Sequence, residues 1–426
     1  MAVHDGGPTR DDAAADGEGG SDGRGMPLDG IRVVDMSNFL AAPSISMYLG
    51  DLGAVVTKVE RPGRGDEFRN WGHSVDGVGL YYKVVNRNKR SVTADLHTPL
   101  GVEIVKRLVR DADVVVENYR PGTMEKWGLG YDVLAGINPG VVLVRVTGYG
   151  QTGPYAQKPG FGTALEGYAG AAYISGFPDR SPLLPSFGLA DTSSGVMGAF
   201  LAMAALHERR RNGGRGQVVE FALYETMFNM LGPLVVDYDQ LGRVQERDGS
   251  RVPWVAPRNT YRTRDGRFVS LSAASDQTFA RLCEALEIPG LLADPRFTTN
   301  RERIQNVDAL DEAIQGAIGM LDRADLIRRL ESREGVVAPV NSIADIFADP
   351  HIQARGNIAS VHDEELGRPM RMQNVVGRFS RTPAHIRTTG PRLGQDNRRV
   401  LVDELGFDPA ELAAAGIPTD GAGDAA

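Results

Sequence analysis

Five runs of β-branched residues, separated by stretches of helical character, constrain the fold of this chain most strongly. The runs lie at 31–36, 54–60, 91–96, 113–119 and 141–147. Residues 99–111, between the third and fourth runs, carry apolar side chains at helical spacing. Continuous Val and Ile character is typical of parallel strands that are buried on both faces. The alternation therefore predicts an α/β fold with helices on both faces of a parallel sheet.

The remainder of the chain predicts a second, smaller α+β unit. Residues 191–212 carry the strongest helical pattern, which ends at Gly213-Gly214. A charged segment at 243–251 indicates a crossing between units, and Asp265-Gly266 predicts a hairpin turn. The predicted parts are a disordered acidic tail at 1–25, the first part of a large domain at 26–225, a linker and small domain at 226–335, and a return to the large domain with a C-terminal segment at 336–426.

Composition and charge exclude several classes of protein. Lys and Arg total 47 against 55 Asp and Glu, so the net charge of -8 lacks the basic field that non-specific nucleic-acid binding needs. The single cysteine, Cys283, cannot form an intrachain disulfide. The most apolar stretch, 192–207, is shorter than the roughly 18 residues of a membrane helix, and the N-terminus lacks a signal-peptide pattern. We predict a cytoplasmic protein with no nucleic-acid partner and no membrane association.

Two motifs leave the function open at this point. The segment Gly148-Tyr-Gly-Gln-Thr-Gly153 matches a dinucleotide-binding pattern, but it follows a late strand and precedes Pro154, so a nicotinamide cofactor is disfavoured. The cations within 86–90 indicate either a solvated face or a phosphate-binding site. The seven histidines show no metal-binding spacing, and we predict no metal site.

Asp191 has two compatible interpretations. It stands at the start of the predicted helix, where Asp is a preferred N-cap. Its neighbours are small, with glycines at 188 and 195, and they leave room for a bulky group to approach the carboxylate. A helix N-terminus would also keep the carboxylate ionised, as a carboxylate nucleophile must be.

Several segments taken together resemble the class III CoA-transferase family, which includes formyl-CoA:oxalate and carnitine CoA-transferases and the related α-methylacyl-CoA racemases. The matching segments are Pro27-Leu-Asp-Gly-Ile-Arg-Val-Val-Asp35, Leu52-Gly-Ala-Val-Val-Thr-Lys-Val-Glu-Arg61, Asn86-Arg-Asn-Lys-Arg-Ser91, Asp113-Val-Val-Val-Glu-Asn-Tyr-Arg-Pro-Gly122, Gly148-Tyr-Gly-Gln-Thr-Gly-Pro154 and Ala190-Asp191. They cover 27–195 densely and the rest to about 405 more loosely. The resemblance implies a Rossmann-like large domain made from both chain ends, a smaller central domain, and an obligate homodimer of interlocked rings.

The resemblance also implies a chemistry and a set of site residues. The position of Asp191 is that of a nucleophile that attacks an acyl-CoA thioester, passes through a mixed anhydride and an aspartyl-CoA thioester, and delivers CoA to a free carboxylic acid. CoA is then a substrate, and no permanently bound cofactor is implied. The residues that match CoA contacts of the family are Leu40 and Ala41 near the thiol end, Arg61 near the nucleotide, Ala94, Asp95, Leu96 and His97, Asn118, Tyr119 and Arg120, and Lys126.

Positions at which this sequence departs from the family pattern distinguish between the enzyme types of the family. Phe161 stands where the racemases have a catalytic His, which argues against racemisation. Leu40 stands where the formyl-CoA transferases have Gln, and 251–259 contains no glycine run, which argues against formyl-CoA. Family frequency favours succinyl-CoA as the donor and a dicarboxylic or hydroxy acid as the acceptor. An acyl-CoA isomerase, including a racemase or an intramolecular CoA mover, and a non-catalytic CoA-binding protein are the alternatives.

Overall fold

The computed structural model describes residues 25–419. The strands are β1 (Arg32–Asp35), β2 (Val55–Glu60), β3 (Ser74–Val75), β4 (Val78–Gly79), β5 (Lys89–Thr93), β6 (Val114–Glu117), β7 (Val142–Thr147), β8 (Val218–Ala222), β9 (Arg258–Arg262), β10 (Phe268–Ser272), β11 (Val337–Pro339), β12 (Ile358–Asp363) and β13 (Arg368–Gln373). The helices are α1 (Ala41–Asp51), α2 (Leu80–Val85), α3 (Pro99–Val109), α4 (Thr123–Lys126), α5 (Tyr131–Ile137), α6 (Gly162–Tyr168), α7 (Leu189–Arg211), α8 (Leu223–Asn229), α9 (Leu234–Leu241), α10 (Asp276–Ala285), α11 (Gly290–Ala293), α12 (Asn300–Gln305), α13 (Val307–Ile318), α14 (Arg323–Glu331), α15 (Ile343–Ala348), α16 (Pro350–Ala354) and α17 (Pro409–Ala414), with a 3-10 turn at Glu67–Asn70 and a π-helical turn at Arg398–Glu404. Apart from Gly25, the predicted acidic tail at 1–25 lies outside the described residues.

Six strands form one parallel sheet in the order β5-β2-β1-β6-β7-β8. Counted among themselves along the chain, these strands run 3-2-1-4-5-6, which is the order of a doubly wound Rossmann-type sheet. The predicted α/β class with a parallel sheet is therefore confirmed. The direction of winding reverses between β1 and β6, and ligands of such sheets bind in the crevice outside the carboxyl ends of the strands at that point.

Apolar layers cover both faces of this sheet. Val33, Val114 and Val144 belong to one core, which α1 and α7 cover. Their neighbours along the strands contribute to the opposite core, together with α3 and residues 400–417 of the C-terminal segment. A Cβ atom at Gly198 of α7 would overlap the Ile45 side chain of α1, so glycine lets these two helices approach closely.

The helix α7 is long and apolar enough to cross a membrane by length and composition alone. The most apolar stretch of the sequence, 192–207, is only part of this helix, which runs from Leu189 to Arg211. Eight of its residues are buried, and its glycine-lined face packs on α1. In this structure one face of α7 packs into the α/β core, while Val196 and Phe200 of the same helix are exposed.

A separate apolar core lies in the second half of the chain. It joins the sheet β11-β10-β9 to helices α10, α13 and α14, with Tyr261, Phe279 and Ile314 among its buried residues. The predicted hairpin is confirmed, since β9 and β10 pair in antiparallel register around the Asp265-Gly266 turn. β11 pairs with β10, so this sheet includes residues on both sides of the predicted boundary at 335. The division into two domains stays a prediction.

The C-terminal segment returns to the edge of the large sheet. Asn397 accepts a hydrogen bond from the Thr93 backbone at 2.8 Å, and Asp396 accepts one from the Ser91 backbone at 2.9 Å. Val400 and Leu401 are then fully buried in the core beneath. Both ends of the described chain therefore contribute to one α/β core.

Buried ion pairs hold the loop that follows β1. Lys58 is fully buried, lies 2.9 Å from the Asp66 carboxylate, and donates to the Ser37 carbonyl oxygen at 2.7 Å. Lys89 lies 2.9 Å from Asp35, which also accepts from the Ser37 backbone. Although burial alone acts in the opposite direction, Lys58 and Lys89 hold the pKa of Asp35 well below its usual range. The loop at 36–40 is thus fixed by charges that water cannot screen.

We expect the substitution Lys58→Met to destabilise the fold by about 3–5 kcal/mol, because it leaves the buried Asp66 carboxylate without its cation. The midpoint of urea unfolding measures this loss. Arg64→Met is the matched control, since the Arg64–Glu67 pair is exposed and should contribute no more than about 1 kcal/mol. Equal and small effects of the two substitutions would show that the buried pair does not hold the loop.

Candidate active site

A cavity of about 210 Å³ opens at the carboxyl ends of β1 and β6. It lies where the winding of the sheet reverses, which is the expected ligand position in this type of fold. Six of the residues predicted from the sequence line it together: Leu40, Ala41, Asn118, Tyr119, Arg120 and Asp191. The topology brings these residues together, because 36–40 follows β1, 118–121 follows β6, and α7 packs beside both.

The loop after β1 takes an unusual conformation beside this cavity. Phe39 has a φ of 66°, a left-handed conformation that is uncommon for a residue with a side chain. Its backbone N–H donates to the Asp66 carboxylate at 3.0 Å. The Asn118 side chain accepts from the Asn38 N–H at 2.9 Å and donates to the Asn38 carbonyl at 2.8 Å. Contacts from Asp66, after β2, and from Asn118, after β6, therefore hold the conformation that places Phe39 and Leu40 at the cavity.

Asp191 is the third residue of α7, and its side chain does not cap the helix. The N-cap is Gly188, so the interpretation of Asp191 as an N-cap is wrong. Its Oδ2 atom lies over Gly162, where a Cβ atom would overlap it, and 3.2 Å from a Cβ placed at Gly188. Among residues 25–419 no hydrogen-bond donor or cation pairs with this carboxylate. Asp191 therefore presents an uncommitted carboxylate to the cavity.

Burial and charge set the basicity of Asp191. Burial raises the pKa of its carboxyl group to about 6, and the negative charge of Glu166 acts in the same direction. The helix N-terminus was expected to keep the carboxylate ionised, and desolvation acts in the opposite direction by favouring the neutral form. At neutral pH the group is still mostly ionised, and a more basic carboxylate is a better nucleophile.

Aromatic and cationic side chains form the rim of the cavity. Phe39 packs edge-on against Trp71 at 5.6 Å and against Phe161 at 5.5 Å between ring centroids. Lys158 lies 3.4 Å from the centroid of the Tyr155 ring. Sequence reasoning assigned no contact to Phe39, Trp71 or Lys158. The proximity of 158 to the Pro159-Gly160-Phe161 segment is the one signal that could have suggested Lys158.

Two of the other predicted residues, Arg61 and Asp95, line a second cavity of about 690 Å³. His97 is exposed, contacts Asp95 at 2.9 Å, and packs edge-on against Trp127 at 5.4 Å. Trp127 in turn packs against Tyr119 of the first cavity at 4.8 Å. A line of aromatic contacts therefore connects the two cavities.

Three predicted CoA contacts occupy other environments. The side chains of Ala94 and Leu96 are buried in the core of the sheet, so only their backbone can reach a ligand. Lys126 is exposed at the end of the short helix α4, next to Trp127. The structure thus places Lys126 on the surface between the two cavities.

The cations of 86–90 are neither a solvated face nor a phosphate site. Arg87 forms a buried pair with Asp51 at 2.6 Å, and Lys89 pairs with Asp35. Arg90 contacts Glu404 at 2.8 Å. Each cation is committed to a carboxylate, which corrects the sequence expectation. A cavity of about 730 Å³ lies beside Lys89 and Arg90 at the β5 edge, and these paired charges leave it a poor candidate for the active site.

The residues of the first cavity define what chemistry it can carry out. Asp191 supplies a carboxylate that needs no base to become a nucleophile, because it is ionised without proton transfer. The described residues, 25–419, contain no group of three His, Cys, Asp or Glu side chains arranged to hold a metal ion. Phe161 lies at the rim of the cavity and offers no group for proton transfer.

Comparison with known proteins agrees with this geometry. A family model described as CoA-transferase family III matches residues 28–397. The chain is 43% identical over 389 residues to the succinyl-CoA–D-citramalate CoA-transferase of Chloroflexus aurantiacus, covering 91% of this chain and 96% of that protein. It is 41% identical over 385 residues to the beta subunit of the succinyl-CoA–L-malate CoA-transferase of the same organism, covering 90% and 95%.

A solved structure shows the same fold. A CAIB/BAIF family protein from Brucella suis superimposes with a TM-score of 0.78 at 35% identity, covering 89% of this chain and 100% of that one. The sheet, the site and these matches define the protein as a CoA-transferase. The chain belongs to CoA-transferase family III, and the resemblance found in the sequence is confirmed.

We expect kcat/KM for an acyl-CoA to fall about tenfold between pH 7 and pH 5, with an apparent pKa near 6, because protonation removes the Asp191 nucleophile. Initial rates across this range measure the profile. Burial and the charge of Asp191 raise the pKa of the nearby Tyr81 phenol, so that group stays neutral throughout. A profile that is flat from pH 5 to pH 7 would contradict the assignment.

Proposed function

We propose that this protein transfers CoA from succinyl-CoA to a free carboxylic acid through a covalent intermediate on Asp191. The observation that carries the proposal is the unpaired Asp191 carboxylate in the crevice between β1 and β6. The names of the relatives supply the donor, since both Chloroflexus aurantiacus proteins are named as succinyl-CoA transferases.

The proposed reaction balances without a further reagent. An Asp191 oxygen attacks the thioester carbonyl, a C–O bond forms, and the C–S bond breaks, which gives a mixed anhydride and CoA thiolate. The thiolate then attacks the Asp191 carbonyl, releases succinate and leaves an aspartyl-CoA thioester. The acceptor carboxylate attacks this thioester to give a second anhydride, and the released thiolate attacks its acyl carbon. The product acyl-CoA leaves, and Asp191 is again a carboxylate.

Two cations support a dicarboxylic substrate. Arg120 and Lys158 line the Asp191 cavity, and neither forms an ion pair with any residue between 25 and 419. A cation next to the reacting carboxylate can bind the remote carboxylate of a succinyl group or of the acceptor. The relatives are named for D-citramalate and L-malate, which are dicarboxylic hydroxy acids. We infer an acceptor of this class.

The two connected cavities support the proposed position of CoA. Leu40 and Ala41 lie in the Asp191 cavity, where the thioester must react, and Arg61 lies in the second cavity, where a cation would meet the phosphates. Trp127 joins the two through its contacts with Tyr119 and His97. An extended CoA molecule would follow this line, with Lys126 on its outer side.

We propose a homodimer of interlocked chains as the active form. A broad surface of the chain between 155 and 254 exposes large apolar side chains, which is typical of a face that another chain covers. The most exposed among them are Phe187, Phe200, Val236, Tyr238 and Leu241. One relative is named as a beta subunit, so pairing with a different chain is the alternative. Light scattering of the purified protein distinguishes the two, since the mass of a dimer supports the homodimer and the mass of a monomer supports the alternative. A cytoplasmic location stays a prediction.

The Asp191→Ala variant tests the function directly. Purified protein, succinyl-CoA and a panel of free acids, citramalate and malate among them, are incubated, and new acyl-CoA is measured by mass spectrometry. We expect turnover by the wild-type protein and none by Asp191→Ala. Asp132→Ala is the control, because Asp132 is exposed on α5, outside both cavities and outside the apolar surface between 155 and 254, and should leave the rate unchanged. Transfer by Asp191→Ala at the wild-type rate would refute the assignment, and failure of labelled free acid to enter acyl-CoA would indicate an intramolecular mover.

Lys158→Met tests the dicarboxylate. We expect kcat/KM to fall about tenfold for succinyl-CoA and to change little for butyryl-CoA, which has the same chain length and no remote charge, because a charge-assisted hydrogen bond contributes about 1.5–3 kcal/mol. Lys106→Met on α3, outside both cavities, is the control. An equal fall in kcat/KM with both acyl-CoAs would indicate that Lys158 contacts the CoA moiety instead.

A further inference from the structure

Two carboxylates, one buried and one partly buried, lie where α6 meets the start of α7. Glu166 is 2% exposed and belongs to α6, while Asp191 belongs to the first turn of α7. Two negative charges in one apolar environment repel each other, and the mechanism uses only one of them. The presence of the second carboxylate therefore requires a reason.

Glu166 makes the contact that an N-cap normally makes. The first backbone N–H groups of a helix have no partner within the helix, and a side chain of the capping residue usually accepts from them. Gly188, the N-cap of α7, has no side chain to do so. The Oε1 atom of Glu166 accepts the Ala190 N–H at 3.1 Å. The cap of α7 is thus supplied by another helix.

The same helix also makes room for the nucleophile. Gly162 and Glu166 are four residues apart on α6, so they lie on one face of that helix. Gly162 faces the Asp191 carboxylate, where any side chain would overlap it. One face of α6 therefore leaves space for the Asp191 carboxylate and supplies the acceptor for the Ala190 N–H in the same helical turn, so that donor is already occupied.

We propose that Glu166 is a positioning residue, which caps α7 in place of Asp191 and so keeps the Asp191 carboxylate free to attack the thioester. This proposal rests on the proposed function. A capped Asp191 would have to break its hydrogen bond to the helix before each attack, and the Glu166 cap removes that step. The charge of Glu166 also favours the covalent states, because acylation neutralises Asp191 and ends the repulsion between the two carboxylates.

The groups around Asp191 allow the effect of Glu166 to be isolated. Glu166 faces it from α6 and the Tyr81 phenol from α2, while Arg120 and Lys158 line the same cavity. Asp191 and Glu166 are the two carboxylates among these groups. A change of charge at Glu166 should therefore be visible in the acid side of the pH profile.

Two substitutions separate the hydrogen bond from the charge. Glu166→Gln keeps an oxygen acceptor for the Ala190 N–H and removes the charge, so we expect a folded enzyme whose acid limb of kcat/KM moves to lower pH by about one unit. Glu166→Ala removes both, so Asp191 can rotate to cap its own helix. We expect its kcat to fall about 100-fold with little change in the KM for acyl-CoA.

Glu225→Gln is the matched control. Glu225 also accepts a backbone N–H at a helix start, from Ala222 at 2.7 Å, but it caps α8 and lies outside the Asp191 cavity. We expect its acid limb to coincide with that of the wild type. A Glu166→Gln profile that coincides with the wild-type profile, together with full kcat for Glu166→Ala, would overturn the proposal. Absence of transfer by the wild-type protein would instead refute the proposed function.

Discussion

Burial of the Asp191 carboxylate without a donor is the constraint on which this site depends. A carboxylate that loses water normally gains hydrogen bonds or a cation, and Asp191 has neither among the described residues. Burial raises its pKa to about 6, which keeps it ionised at neutral pH and more basic than an exposed Asp. The surrounding structure must hold this unfavourable arrangement in place.

Two parts of the fold provide that support. The buried pair of Lys58 and Asp66 fixes the loop after β1, which forms one wall of the cavity. The α6 helix forms another wall, with Gly162 giving space and Glu166 capping α7. The winding of the sheet reverses between β1 and β6, so both walls meet at the point where this fold opens a crevice. The ordinary ligand position of a Rossmann-type sheet thus contains an unpaired carboxylate.

The sequence predicted the sheet well because its strands are continuous Val and Ile runs. The strand β8 was missed, since Val218–Ala222 includes Glu220 and follows a glycine-rich turn, and only pairing with β7 makes it a strand. The cations of 86–90 were misjudged for a related reason. Their partners Asp51, Asp35 and Glu404 are distant in sequence, and no local pattern indicates such pairs.

The residues of the candidate site that belong to a sequence motif could be predicted. The features that depend on contacts between distant parts of the chain could not. Asp191 was singled out by its small neighbours at the start of a predicted helix, and Leu40 and Asn118 were found through the family resemblance. The left-handed conformation of Phe39 depends on Asp66 and Asn118. The role of Glu166 depends on its contact with Ala190, which lies 24 positions away on another helix.

The most direct test of the account is to quench a reaction of the protein with succinyl-CoA using hydroxylamine and to examine the peptide that contains Asp191 by mass spectrometry. The account predicts a hydroxamate on Asp191 and on no other carboxylate, whereas an unmodified Asp191 during rapid turnover would contradict it.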